Sequence, residues 1–270
     1  MSALATGESW GPSLNGLCSF QLRLFDSCDL LRSRSAVPAY FKTTIVALLL
    51  LVGQRFSASG AAGEAGEISA ARRTVLILGD SLAAGYGVEP EVAFPTLLQR
   101  RIDEAKLTFT VVNAGQSGDT SAGGLRRITW LLRRPVDVLV LELGGNDGLR
   151  GIQPSTTHTN LQRIIVLVKE KFPEVKVVIA GMRMPESMGS EFAQEFQQVF
   201  LELAKANEAT LIPFLLEGVA GDPKFNQPDL IHPNADGHRI VARNVWEVLG
   251  PILIEIAAQK PDKRDASVRP

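Results

Sequence analysis

Ser81 closes the run Leu78-Gly79-Asp80-Ser81-Leu82, which follows the apolar, β-branched stretch Thr74-Val75-Leu76-Ile77. Such a stretch reads as a buried strand. A serine placed where a strand gives way to a helix holds its hydroxyl at the rim of a sheet, beside the free N–H groups of the helix start. Serine alone is a weak nucleophile and needs a base. The chain has three histidines, His158, His232 and His238. His232 sits in Pro228-Asp229-Leu230-Ile231-His232-Pro233-Asn234, three residues after Asp229. A tight turn at that spacing brings carboxylate to imidazole. Asp229 would then fix the Nδ1–H tautomer and leave Nε2 to take the Ser81 proton. Acyl transfer also needs donors for an oxyanion. The candidates are Ser81 N–H, Gly115 N–H, where glycine permits close backbone approach, and the Asn146 side-chain amide. These residue types suit acyl transfer through a serine nucleophile.

The elements that must position them alternate. Apolar strand patterns occur at 74–78, 108–113, 137–143, 175–181 and 210–213, and helical patterns at 93–105, 123–132, 155–171, 190–207 and 235–256. The fourth helix shows the period most clearly, with Phe192, Phe196, Val199, Phe200 and Leu203 on one face. Strands separated by helices of this length imply a five-stranded parallel sheet covered on both faces. Ligands of such sheets bind beyond the carboxyl ends of the strands. Ser81, the run Asn113-Ala114-Gly115-Gln116-Ser117-Gly118 and the run Gly144-Gly145-Asn146-Asp147 follow the first three strands in turn.

Each residue also has an ordinary structural reading. Ser81 suits a helix cap, Gly115 and Gly118 suit turns, and Asp229 suits a turn cap. What sets them apart is their recurrence at three successive strand ends and before the last helix. His158, among Ser155, Thr156, Thr157 and Thr159, reads as solvated, and His238 as structural. Asp80 reads as a hydrogen-bonding brace for its loop. Competing motifs are missing: Gly79-Asp80-Ser81-Leu82-Ala83 lacks the second glycine of Gly-x-Ser-x-Gly, and there is no Gly-x-Gly-x-x-Gly, no P-loop and no metal-ligand spacing of histidines.

The 270 residues carry a formal net charge of -1, are 45% hydrophobic and 21% charged, and fit a soluble globular protein. That balance gives no sign of a nucleic-acid partner. Cys18 and Cys28 both precede the body, which therefore has no disulfide framework. Residues 1–62 read as an N-terminal extension with a secretory h-region at 43–53, preceded by Arg32, Arg34 and Lys42 and followed by small residues at 57–62. An uncleaved membrane anchor is the alternative, although the run is short of the about 20 residues a span needs. The body is expected at 72–256 and a disordered tail at 257–270. Export and a periplasmic location follow from this reading; a monomer and transient contact with a membrane surface are further expectations.

Four blocks together resemble the SGNH (GDSL) hydrolases, and within them the acyl-CoA thioesterase I, lysophospholipase L1 and arylesterase group. They are Gly79-Asp80-Ser81-Leu82 with Gly85-Tyr86-Gly87, Asn113-Ala114-Gly115-Gln116-Ser117-Gly118-Asp119-Thr120, Leu143-Gly144-Gly145-Asn146-Asp147-Gly148-Leu149-Arg150-Gly151 and Asp229-Leu230-Ile231-His232-Pro233-Asn234. The resemblance implies a flavodoxin-like three-layer α/β/α fold without a cofactor. It implies Ser81, Asp229 and His232 as triad and Ser81, Gly115 and Asn146 as oxyanion donors. It also implies a loop from 148 to 153 closing over the acyl chain. The substrate-loop candidates are Asp147, Gly148, Leu149 and Ile152, with Met182, Met184 and Met188 as further apolar rim residues. Two other functions fit less well: a sugar O-acetylesterase of the same fold, and a non-catalytic periplasmic binding module.

Overall fold

A computed structural model of the chain describes residues 72–259. Five strands, β1 (Arg73–Gly79), β2 (Phe109–Gly115), β3 (Val138–Glu142), β4 (Lys176–Ala180) and β5 (Thr210–Ile212), form one sheet in the order β2-β1-β3-β4-β5. Every pairing is parallel. Central strands of a parallel sheet are covered on both faces, and Val75 to Leu78 and Val138 to Leu141 are accordingly buried without alternation. The edge strand β2 leaves Val112 exposed.

Right-handed crossovers put the connections on opposite faces once the strand order reverses beside β1. Helix α2 (Phe94–Glu104) packs with α7 (Ala235–Ala258), while α5 (Pro154–Lys171) packs between α3 (Ser121–Leu131) and α6 (Ser190–Ala206). One core runs through both interfaces, with Phe94, Leu98 and Ile102 of α2, and Ile164, Phe196 and Phe200 of α5 and α6, buried against the sheet. This is the expected three-layer α/β/α architecture with a five-stranded parallel sheet.

The strand and helix patterns fall within two residues of the observed elements. β2 runs on to Gly115, paired with Gly79 of β1. The last helix continues to Ala258, so residues 257 and 258 belong to it and not to a tail. Two short helices had no periodic signal: α1 (Ser81–Ala84) and α4 (Gly145–Leu149). Both start at the C-terminal end of a central strand. The N-terminal extension with its apolar run 43–53, and the tail from residue 260, lie outside the described residues. No helix among the described residues is long and apolar enough to cross a membrane.

Candidate active site

The β1–α1 turn is built around Asp80. Its carboxylate Oδ1 accepts the Leu82 N–H at 3.0 Å and so caps α1. Its backbone N–H donates to Glu142 Oε2 at the end of β3, at 3.1 Å. A side chain at Gly79 would collide with Glu142 and with Ala83, so only glycine fits between strand and helix. Ser81 is the first residue of α1. Its N–H has no partner among the described residues, and its hydroxyl meets His232.

His232 reaches the site from the loop before α7, whose start is fixed by Asn234 Oδ1 accepting the Asp236 and Gly237 N–H groups at 3.0 Å. Within Asp229–His232 the chain folds into a turn with Leu230 at φ 56°. Asp229 Oδ1 accepts the N–H groups of both Ile231 and His232 at 3.0 Å. This local turn aims the other oxygen at the imidazole: Asp229 Oδ2 lies 2.6 Å from His232 Nδ1. An ionised carboxylate only accepts, so Nδ1 carries the proton and Nε2 presents its lone pair. Nε2 stands 3.0 Å from Ser81 Oγ. Serine, imidazole and carboxylate thus form one continuous relay that can move a proton off the hydroxyl. The Tyr86 ring lies against the imidazole at 4.6 Å between centroids, although half of the tyrosine is exposed. Reading for chemistry passed over Tyr86; its place in the Gly85-Tyr86-Gly87 block was the available signal.

The structure corrects the expected glycine donor. Gly115 is a strand residue whose N–H already donates to Asn113 Oδ1 at 2.9 Å, and whose Cα is pressed against Ala83 and Ala84. Its amide is therefore not available to an oxyanion. A free amide lies three residues on: Gly118, exposed and at φ 77°, has an N–H without a partner among the described residues. Its carbonyl accepts from Arg150 Nη2 at 3.0 Å. The Asn146 amide joins the two loops, donating from Nδ2 to Asp80 Oδ2 at 3.1 Å and to Asp119 O at 3.0 Å. Both of its hydrogens are used at rest.

One arginine holds these loops together. Arg127 of α3 donates through Nε to Asp119 Oδ2 (2.7 Å), through Nη1 to Ala114 O (2.6 Å) and through Nη2 to Gly79 O (2.9 Å). A planar guanidinium fork suits three fixed acceptors in this way.

The expected substrate loop divides. Asp147 is fully buried and turned inward, accepting from Ser121 N (2.8 Å), Ser121 Oγ (2.5 Å) and Thr157 Oγ1 (3.3 Å). Gly148 is buried against Met184, which leaves no room for a side chain. Both are therefore packing residues of α4 and not a substrate surface. Leu149 is 44% exposed, and Ile152 is partly so. Met182, expected near the rim, is in the core. His158 lies half-buried on α5, in a groove shared with Gln194 and Gln198 of α6. Among the described residues no three His, Cys, Asp or Glu side chains cluster as metal ligands.

Burial opposes charge at four groups in and beside the site. It raises the Asp80 carboxyl to about 6, against the pull of the Leu82 N–H, Glu142, Asn146 and His232. Burial, and then the Asp80 charge, push Glu142 well above the usual carboxyl range. At Asp229 burial also pushes upward, but the N–H and imidazole of His232 and the N–H of Ile231 outweigh it and hold the carboxyl at about 2. His238 is buried and accepts the Phe94 N–H at Nδ1, 3.3 Å away. Burial, followed by the neighbouring His232, lowers it from 6.5 to about 4. The unfolded chain takes up that proton near pH 6.5, whereas the folded chain refuses it until about pH 4. Stability therefore falls with pH across that window, by about 3 kcal/mol at the lower end. Denaturant melts at pH 7 and pH 4.5 should show the loss. In His238→Gln, whose amide oxygen can still accept the Phe94 N–H, this part of the pH slope should vanish.

Residues 77–240 match the GDSL-like lipase/acylhydrolase family. The chain is 39% identical over 185 residues to esterase TesA of Pseudomonas aeruginosa, covering 68% of this chain and 91% of that one. It is 41% identical over 187 residues to thioesterase 1/protease 1/lysophospholipase L1 of Escherichia coli, with 68% and 87% covered. Among solved structures, that of TesA superposes with a TM-score of 0.64 at 37% identity, over 67% of this chain and 99% of that one. The psychrotrophic esterase EstA from Pseudoalteromonas, inhibited by monoethylphosphonate, gives 0.64 at 30% identity with the same coverage.

Proposed function

Since the chain belongs to the GDSL-like lipase/acylhydrolase family and is a serine ester hydrolase of that type, we propose that it cleaves lipid-type acyl esters and thioesters through an acyl-enzyme on Ser81. The observation that carries the assignment of Ser81 is the relay behind its hydroxyl, 3.0 Å to His232 and 2.6 Å onward to Asp229. Ser81 Oγ attacks the acyl carbonyl while its proton passes to His232 Nε2. The imidazolium, steadied by Asp229, returns that proton to the leaving alcohol or thiol. Water, deprotonated by the same nitrogen, then attacks the acyl-enzyme, and that proton passes to the departing Ser81 Oγ as the acid is released.

The oxyanion donors in this reading are Ser81 N–H, Gly118 N–H and Asn146 Nδ2, with Gly118 in the place first given to Gly115. Ser81 and Gly118 are supported by amides without a partner among the described residues. Asn146 would turn one hydrogen from the neutral Asp119 carbonyl to the oxyanion, a stronger acceptor because it is charged. The acyl chain would lie along Leu149 and Ile152, with the Tyr86 ring shielding the imidazole.

The wild-type enzyme should react with a fluorophosphonate probe at Ser81, and mass mapping of the labelled peptide reads the site. A series of p-nitrophenyl esters and acyl thioesters from acetyl to palmitoyl should favour medium or long chains. Labelling at another serine would sink the assignment, and a preference for acetyl would point instead to sugar O-acetyl groups. The apolar run 43–53 behind Arg32, Arg34 and Lys42 supports export to the periplasm. We take the enzyme to act as a monomer that meets lipid substrate at a membrane surface.

A further inference from the structure

Beneath the Ser81 turn lies an acid that the reaction does not use. Glu142 is completely buried at the C-terminal end of β3, opposite Gly79. One oxygen accepts the Asp80 N–H, and the other, Oε1, has no hydrogen-bond partner among the described residues. No cation pairs with it among the described residues. A buried, unpaired carboxylate in such a place is costly, and Asp80, a second buried carboxyl, follows its register partner Gly79 in the chain. Two such neighbours cannot both ionise cheaply, so one proton stays with the pair. The charged or titratable groups around the pair are His232 from the loop before α7 and Arg127 from α3. Arg127 is bound to Gly79 O and paired with Asp119.

Resting on Ser81 as the nucleophile, we propose that Glu142 is a positioning residue: its undissociated carboxyl supports the nucleophile turn and leaves the pair's single negative charge on Asp80, which aims the Asn146 amide. The geometry divides the work. Asp80 Oδ1 holds the helix start and Oδ2 holds Asn146, so both oxygens must act as acceptors. An acid on Glu142 satisfies the Asp80 N–H without adding charge. A second negative charge beneath the same turn would oppose the oxyanion formed on attack. The push of burial and of Asp80 on Glu142 is in the direction this requires.

Infrared spectra and steady-state kinetics of Glu142→Gln and Glu142→Ala test this. The wild type should show the carbonyl stretch of a protonated carboxyl at neutral pH, and Glu142→Gln should lack it. Glutamine is neutral, keeps an oxygen for the Asp80 N–H and offers an N–H where the acid has its O–H. It should hold kcat within about threefold, whereas alanine should lower kcat about tenfold or more with KM little changed, because misaiming a donor costs part of its usual effect. Absence of the band, or a glutamine variant as slow as the alanine variant, would overturn the proposal. Should alanine prevent folding, the band and the glutamine kinetics decide alone. A wild type that neither turns over esters nor labels at Ser81 counts against the proposed nucleophile and leaves the infrared result to stand separately.

Discussion

Ser81→Ala is expected to lower kcat for a short p-nitrophenyl ester by about 10⁴- to 10⁶-fold, since loss of the nucleophile in a triad removes nearly all acceleration beyond that of binding and the oxyanion donors. The structure makes this a clean experiment. The only hydrogen bond of the Ser81 hydroxyl among the described residues is the one to His232 Nε2. The helix start is capped by Asp80 and not by Ser81, and alanine is a good residue at the first helical position. The melting temperature should therefore stay within a few degrees of wild type while turnover and fluorophosphonate labelling both vanish. Retention of more than about 1% of kcat would place the covalent chemistry on another group.

Asp229→Asn should cost about 10³- to 10⁴-fold in kcat at little cost in stability. An asparagine oxygen can still accept the N–H groups of Ile231 and His232, so the turn at Leu230 survives. What changes is the atom facing the ring. An amide nitrogen opposite Nδ1 favours the tautomer with its proton on Nε2, which then points a hydrogen at Ser81 where a lone pair is needed. The wild-type carboxyl titrates at about 2, below its ordinary value of 3.8. Asp229 is thus already ionised at pH 4, and an acid limb of activity above that pH belongs to another group. Kinetics at several pH values with a thermal melt of each variant separate the tautomer effect from unfolding.

Much of the fold was legible because the sheet is buried on both faces. Uninterrupted apolar runs such as Val75-Leu76-Ile77-Leu78 and Val138-Leu139-Val140-Leu141 leave little choice of element, and the stripe along α6 is unambiguous. The helix start at Ser81 was legible from the turn, but the four-residue length of α1 and the five-residue α4 were not, since neither spans enough turns to show a period. The acid–base residues were legible because Asp229 and His232 interact through one local turn. The glycine donor was not. Gly115 and Gly118 both follow an apolar strand, and composition does not reveal which amide a ladder or an Asn113 side chain has already taken. That depends on how far β2 continues alongside β1, a tertiary property. Asp147 misled in a similar way. A charged residue beside a site residue reads as exposed, yet its carboxylate turns inward to Ser121 and Thr157.

The Arg127 fork has a consequence for motion. It grips the carbonyls of Gly79 and Ala114 and the carboxylate of Asp119, whose own carbonyl holds Asn146. Three chain segments far apart in sequence therefore share a single rigid-body coordinate. Thermal displacement of one is inherited by the others, so the spacing of hydroxyl, backbone amide and side-chain amide fluctuates less than the location of any of them.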